Sequence, residues 1–107
     1  MEAKEVYMTD EQIEARRAKV AAIEGLAELR AAIAVGNKTV WEIDELRAKY
    51  PRAAAYLEAE RWIYSQNPVK VRLASRALEK ILDGEDPEAV ILEMSKGLDA
   101  FFLAQEG

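Results

Sequence analysis

The chain has 107 residues, of which half are hydrophobic and a third are charged, and its formal net charge is −5. This length suits a single domain that is able to bury a core. The chain contains no cysteine and no histidine, which excludes disulfides, Ser-His-Asp or Cys-His nucleophiles, and metal sites built on thiolate or imidazole. We therefore expect a non-catalytic protein without a metal or a cofactor.

The N-terminal residues show no charged segment followed by an apolar one, which is the pattern of a secretory signal. No apolar run approaches the roughly 20 residues that a membrane-spanning helix requires. The sequence therefore predicts a cytoplasmic protein that does not enter a membrane.

The first predicted helix is long. Thr9 with Gln12 three residues later is the pattern of a capping box, and the helix is predicted to run from there to Val35, before the stop signal at Gly36. A helix of about 26 residues would be about 39 Å long at 1.5 Å per residue. It should either break near Gly25 or project from the domain, where its many alanines would favour a homodimer contact. Residues 1–8 are predicted to be flexible and residues 9–107 to form one helical domain.

The rest of the chain predicts four more helices and no strand. Thr39 with Glu42 forms a second capping box, and Pro51 disfavours a helical residue before it, so that a turn is expected there. The dipeptides Asn-Pro at 67–68 and Asp-Pro at 86–87 each start a further helix. The predicted helices cover residues 39–49, 51–66, 68–83 and 87–104. The expected fold is an all-α, compact bundle of about five helices with a long first helix.

The helix predicted after Pro51 has two opposed apolar faces. At about 100° per residue, Tyr56 and Trp62 lie on one face with several alanines, whereas Leu57 and Tyr64 lie on the other. An ordinary surface helix has one apolar stripe. The helix is therefore either packed on both sides by this chain, or it offers one side to another protein, and Leu57 and Tyr64 are the predicted protein contacts.

The charges are unevenly distributed. Residues 47–82 carry eight bases and three acids, whereas the segments before and after them are acidic. Arg72, Arg76 and Lys80 recur every four residues and form a basic stripe, which Lys70 and Arg61 extend. The stripe is either a solvated face whose charges are neutralised within the protein or across a dimer, or a site for nucleic acid, a nucleotide or an acidic partner.

Residues 49–102 resemble small uncharacterised helical proteins encoded in phages and prophages of Firmicutes. The segments that carry the resemblance are KYPRAAAYLEAERW, ASRALEKIL, DGED and EAVILEM. The resemblance implies a mobile-element setting and a non-catalytic protein-binding function, such as inhibition of a host or defence protein of the CRISPR type. It implies no site residues. The alternative is binding of nucleic acid or a nucleotide through the basic segment 47–82.

Overall fold

The computed structural model describes residues 8–106, and throughout this range the only regular secondary structure is α-helix. Six helices follow one another: α1 Asp10–Ala21, α2 Leu26–Val35, α3 Val40–Lys49, α4 Pro51–Ile63, α5 Pro68–Leu82 and α6 Pro87–Glu106. The predicted all-α class is confirmed. The predicted flexible segment 1–8 lies, except for Met8, outside the described residues.

The predictions of five helices and of a long first helix are wrong. The first helix ends at Ala21, and Gly25, just before the next helix, adopts a left-handed conformation with φ of 76°. Such a conformation interrupts a helix, and glycine adopts it at little steric cost. The break yields α1 with 12 residues and α2 with 10 residues, whereas the longest helix is α6 with 20 residues. The projecting first helix, on which the predicted homodimer contact depended, is therefore absent.

The helix starts follow the local sequence signals. The amide N–H of Gln12 donates to the Thr9 hydroxyl over 3.1 Å, and the Thr39 amide donates to Glu42 Oε1 over 2.8 Å. Both capping boxes are complete. Asn67 caps α5 by accepting from the Val69 amide over 2.9 Å. Because each cap involves residues at most three positions apart, the sequence predicts these starts well.

Helices α4, α5 and α6 form the centre of the bundle. The Arg52 guanidinium, near the start of α4, donates to the Ile81 carbonyl at the end of α5 over 3.0 Å, so these two helices are antiparallel. Lys80 near the end of α5 contacts Glu93 in the first half of α6 at 2.7 Å. Helices α5 and α6 are therefore also antiparallel, and α4 and α6 run in the same direction.

Small residues allow the central helices to approach closely. Three alanines, Ala53, Ala59 and Ala74, are completely buried, as are the larger Leu29 and Ile81. Leu29 belongs to α2, which packs on α4 together with α3. Burial of such side chains contributes about 25 cal/mol per Å² of apolar surface. The core therefore surrounds α4, and the outer helices α2 and α3 cover part of its remaining surface.

Helix α1 is attached differently. None of its residues is buried, and its contact with α5 includes ion pairs of Arg16 with Glu79 and of Lys19 with Asp83.

No helix within residues 8–106 combines the length and the hydrophobicity that crossing a lipid bilayer requires.

Candidate functional site

A trough runs along the face of α4 that points away from α5. Its floor is formed by Ala54, Leu57, Glu58 and Arg61, which recur at helical spacing on this face. The opposite face of α4 carries Tyr56 and the buried alanines of the core. Of the second apolar face expected from the sequence of α4, Leu57 lies in this trough, where it shares the floor with Ala54 and two charged residues.

Two sets of helices form the walls of the trough. Helix α6 contributes Pro87, Glu88, Ile91, Leu92 and Ser95 on one side, and this part of the trough is a solvent-open depression of about 570 Å³. On the other side, α2 and α3 contribute Leu29, Ile33 and Arg47 around a smaller volume of about 180 Å³. Both volumes are lined by Arg47, Ala54 and Glu58, so they adjoin each other along α4.

The charged groups around the trough are held by neighbours in the same helix. Glu58 accepts hydrogen bonds from Arg61 Nη1 and from Trp62 Nε1, each over 3.2 Å. Arg47 Nη1 pairs with Asp44 at 3.1 Å. These contacts fix the charged side chains of the trough, whose floor combines Ala54 and Leu57 with Glu58 and Arg61. An apolar ligand would therefore find an apolar surface flanked by charges of both signs.

The structure separates the two predicted protein contacts. Leu57 is half-buried, packs against the core and lines the trough. Tyr64 follows the last residue of α4 and is 81% exposed, and it is not among the residues that line the trough. Helix α4 ends at Ile63, earlier than residue 66 as the sequence predicted, and Tyr64 forms its C-terminal cap.

The predicted basic set is distributed over three environments. Arg61 lines the trough and pairs with Glu58. The Lys70 ammonium lies 4.7 Å from the centre of the Trp62 ring, a cation–π arrangement. The remaining three side chains, Arg72, Arg76 and Lys80, lie on α5.

Only part of the stripe on α5 is neutralised within the protein. Lys80 pairs with Glu93 at 2.7 Å, and its hydrogen bond, together with its charge, lowers the pKa of Glu93 below the ordinary value of 4.5. Arg72 and Arg76 are exposed, and neither forms an ion pair or a hydrogen bond with another residue in the range 8–106. Anion binding by this stripe stays a prediction.

Three exposed apolar residues between α2 and α3, namely Val35, Val40 and Trp41, were not predicted from the sequence as a possible contact surface. The exposed fractions are 65% for Val35, 70% for Val40 and 78% for Trp41. The sequence does contain a signal for the exposure of Trp41. Ile43 packs against the core, and Trp41 lies two residues before it, so at about 100° per residue Trp41 lies on the opposite side of α3. Exposed tryptophan is a frequent anchor in protein interfaces.

Among residues 8–106, no three acidic side chains are grouped so that they could hold a metal ion. Comparison with models of protein families, with curated proteins and with solved structures yields no match for this chain.

Proposed function

We propose that the chain is a non-catalytic protein-binding module that receives an apolar segment of a partner protein in the trough. The observation that carries the proposal is the partly covered side of α4 that bears Ala54 and Leu57 beside Glu58 and Arg61. Ala54 and Leu57 form a floor that the chain's own helices flank but do not fill, above which about 570 Å³ is open beside α6. Specific recognition sites combine such an apolar depression with a few polar groups at its edge.

The dimensions of the trough favour a helical partner segment. Its floor extends from Pro51 to Arg61, which is about 15 Å at 1.5 Å per residue. An amphipathic helix that binds in a groove uses apolar anchors at positions i, i+4 and i+7, and these span about 10 Å at the same rise. Three anchors of this kind fit along the floor, where the carboxylate of Glu58 and the guanidinium of Arg47 flank the helix.

A direct test uses a library of helical peptides displayed on phage, selected against the folded protein. We expect enrichment of amphipathic sequences with apolar residues at helical spacing. Ala54 lines both parts of the trough, so Ala54→Trp plugs it. We expect this variant to weaken binding of the selected peptides at least about tenfold, equal to about 1.4 kcal/mol, as measured by fluorescence anisotropy.

The matched control is Ser75→Trp, which adds the same side chain at an exposed position of α5. It should bind the selected peptides as the wild type does. If Ala54→Trp fails to fold, Ala54→Gln makes the floor polar with less added volume and should weaken binding in the same sense. Failure to enrich any amphipathic sequence, or equal binding by the folded Ala54 variant and the control, would contradict the proposal.

We also propose which kind of protein the trough binds. The sequence resemblance over residues 49–102 supports a phage or prophage factor that inhibits a host or defence protein. The exposed Trp41 adds an aromatic anchor outside the trough. Nucleic-acid binding through the basic segment is the weaker alternative, because Arg61 and Lys80, two of the five cations predicted to form that site, already pair with glutamates.

A further inference from the structure

The solvent-facing side of α6 carries an apolar and charged stripe. It consists of Leu92, Lys96, Asp99 and Leu103, which lie within about 60° of one another at 100° per residue. Leu92 is 54% exposed and Leu103 is 67% exposed. We call these four residues the α6 stripe. No other helix in the described range covers it, because α4 and α5 pack against the side of α6 that holds Val90 and Met94.

The order of residues in the α6 stripe is self-complementary. In an antiparallel pair of α6 helices whose two-fold axis passes between Gly97 and Leu98, position 92 of one copy lies level with position 103 of the other. Position 96 then lies level with position 99. Each leucine therefore meets a leucine, and each lysine meets an aspartate. We propose that two copies of this chain associate through an antiparallel pairing of their α6 stripes.

The one lysine and the one aspartate of the α6 stripe support a second copy as the occupant. Lys96 is the only base among residues 83–107, which carry seven acids, and it lies on the stripe one helical turn from Asp99. Neither side chain forms an ion pair or a hydrogen bond with another residue in the range 8–106. By contrast, the charged pair with the same spacing on α1, Glu14 and Arg17, is already joined within its helix at 3.2 Å.

Small side chains permit close approach at the centre of this pairing. Ser95 and Ala100, which flank the α6 stripe on its two sides, lie level with each other in the two copies. A symmetric pairing of one patch with itself forms a closed dimer rather than a filament. Because a single pair of helices buries a small interface, the dimer is weak, and we expect a Kd between about 10 μM and about 1 mM.

Charge reversal tests the pairing by sedimentation equilibrium. In a dimer of Lys96→Asp, a carboxylate at position 96 faces the carboxylate of Asp99 at both symmetry-related contacts. In a dimer of Asp99→Lys, an ammonium group at position 99 faces that of Lys96 at both contacts. Like charges in contact disfavour association, so each variant alone should dimerise at least about tenfold more weakly. An equal mixture of the two variants restores both pairs of opposite charge, so it should recover dimerisation as a heterodimer.

The control makes the same reversal on α1, with Glu14→Lys and Arg17→Glu as single variants. These should dimerise as the wild type does, whereas weakened dimerisation would place the contact on α1 instead. Leu92 of the stripe lines the trough, but Lys96 and Asp99 do not, so at concentrations below the dimer Kd the α6 variants should bind trough-selected peptides as the wild type does. A wild type that stays monomeric at about 1 mM, or a mixture that does not recover association, would overturn the proposal.

Discussion

Gly25 and Tyr50 meet where the chain joins its first three helices to α4. The Tyr50 ring occupies the space in which a Cβ on Gly25 would lie, and the Tyr50 hydroxyl donates to Glu28 Oε1 over 3.0 Å. Gly25 is also left-handed, with φ of 76°. Two independent requirements therefore act at one residue, since the backbone conformation favours glycine and the neighbouring ring leaves no room for a side chain.

Gly36 allows these two requirements to be separated. It has almost the same conformation, with φ of 75°, but no atom lies within 4 Å of a Cβ placed on it. Gly36→Ala should cost about 1 to 2 kcal/mol for the left-handed backbone. Gly25→Ala should cost about 1 to 3 kcal/mol more, because the added methyl group overlaps the ring. Urea unfolding of both variants measures the difference, and equal losses would show that the Tyr50 contact is unimportant.

The capping boxes of α1 and α3 are equivalent in geometry but differ in charge. The first uses Gln12, which does not titrate, and the second uses Glu42. The hydrogen bond from the Thr39 backbone amide is the main cause that lowers the pKa of Glu42 below 4.5. It outweighs partial desolvation, which acts in the opposite direction, and the Thr39 hydroxyl and the Lys38 charge add to the lowering. Of the two capping boxes, only that of α3 should therefore respond to acid.

The sign of this response follows from the lowered pKa. The charged form of Glu42 stabilises the fold above the unfolded pKa of about 4.5, and its contribution is lost as the pH falls through the lower folded pKa. An NMR titration of the Glu42 carboxyl carbon should give a midpoint below 4.5. Glu42→Gln keeps a capping box like that of Gln12, but the stability of the variant should fall less between pH 5 and 3 (approximate limits) than that of the wild type.

Glu45→Gln is the control for this experiment, since Glu45 lies on α3 outside the capping box. Its profile should follow that of the wild type more closely than the profile of Glu42→Gln does. A midpoint at or above 4.5 for Glu42 would contradict the assignment.

Helix starts that depend on neighbouring residues were predictable from the sequence. Features that depend on residues far away in the chain were not. The caps at Thr9, Thr39 and Asn67 depend on neighbours within three residues, so their positions were correct. At Gly25, where the structure has a break in place of the predicted long helix, the packing partner is Tyr50, which is 25 residues away. Periodicity indicated a second apolar face on α4, but the walls of the trough depend on how α2, α3 and α6 pack around it.

At the scale of the whole molecule, the attachment of α1 differs from that of the other helices. Arg16 and Lys19 pair with Glu79 and Asp83 of α5, and none of the residues of α1 is buried. Exposed ion pairs each contribute about 0 to 1 kcal/mol, far less than the buried side chains that hold α4 and α5. Segments with few buried contacts open locally at low free energy, so α1 should open without unfolding of the remaining bundle.

Hydrogen exchange measured by NMR can detect this opening. Amides of α1 should be at least about tenfold less protected than those of α4 and α5. Raising the salt concentration to about 1 M shortens the Debye length to about 3 Å, so it should lower the protection of α1 further and leave α5 nearly unchanged. Arg16→Gln should have the same effect at low salt, whereas Arg17→Gln should have little, because Arg17 pairs only with Glu14 in its own helix. Equal protection of α1 and α5 in the wild type would show that half-buried residues such as Val20, rather than ion pairs, hold α1 in place.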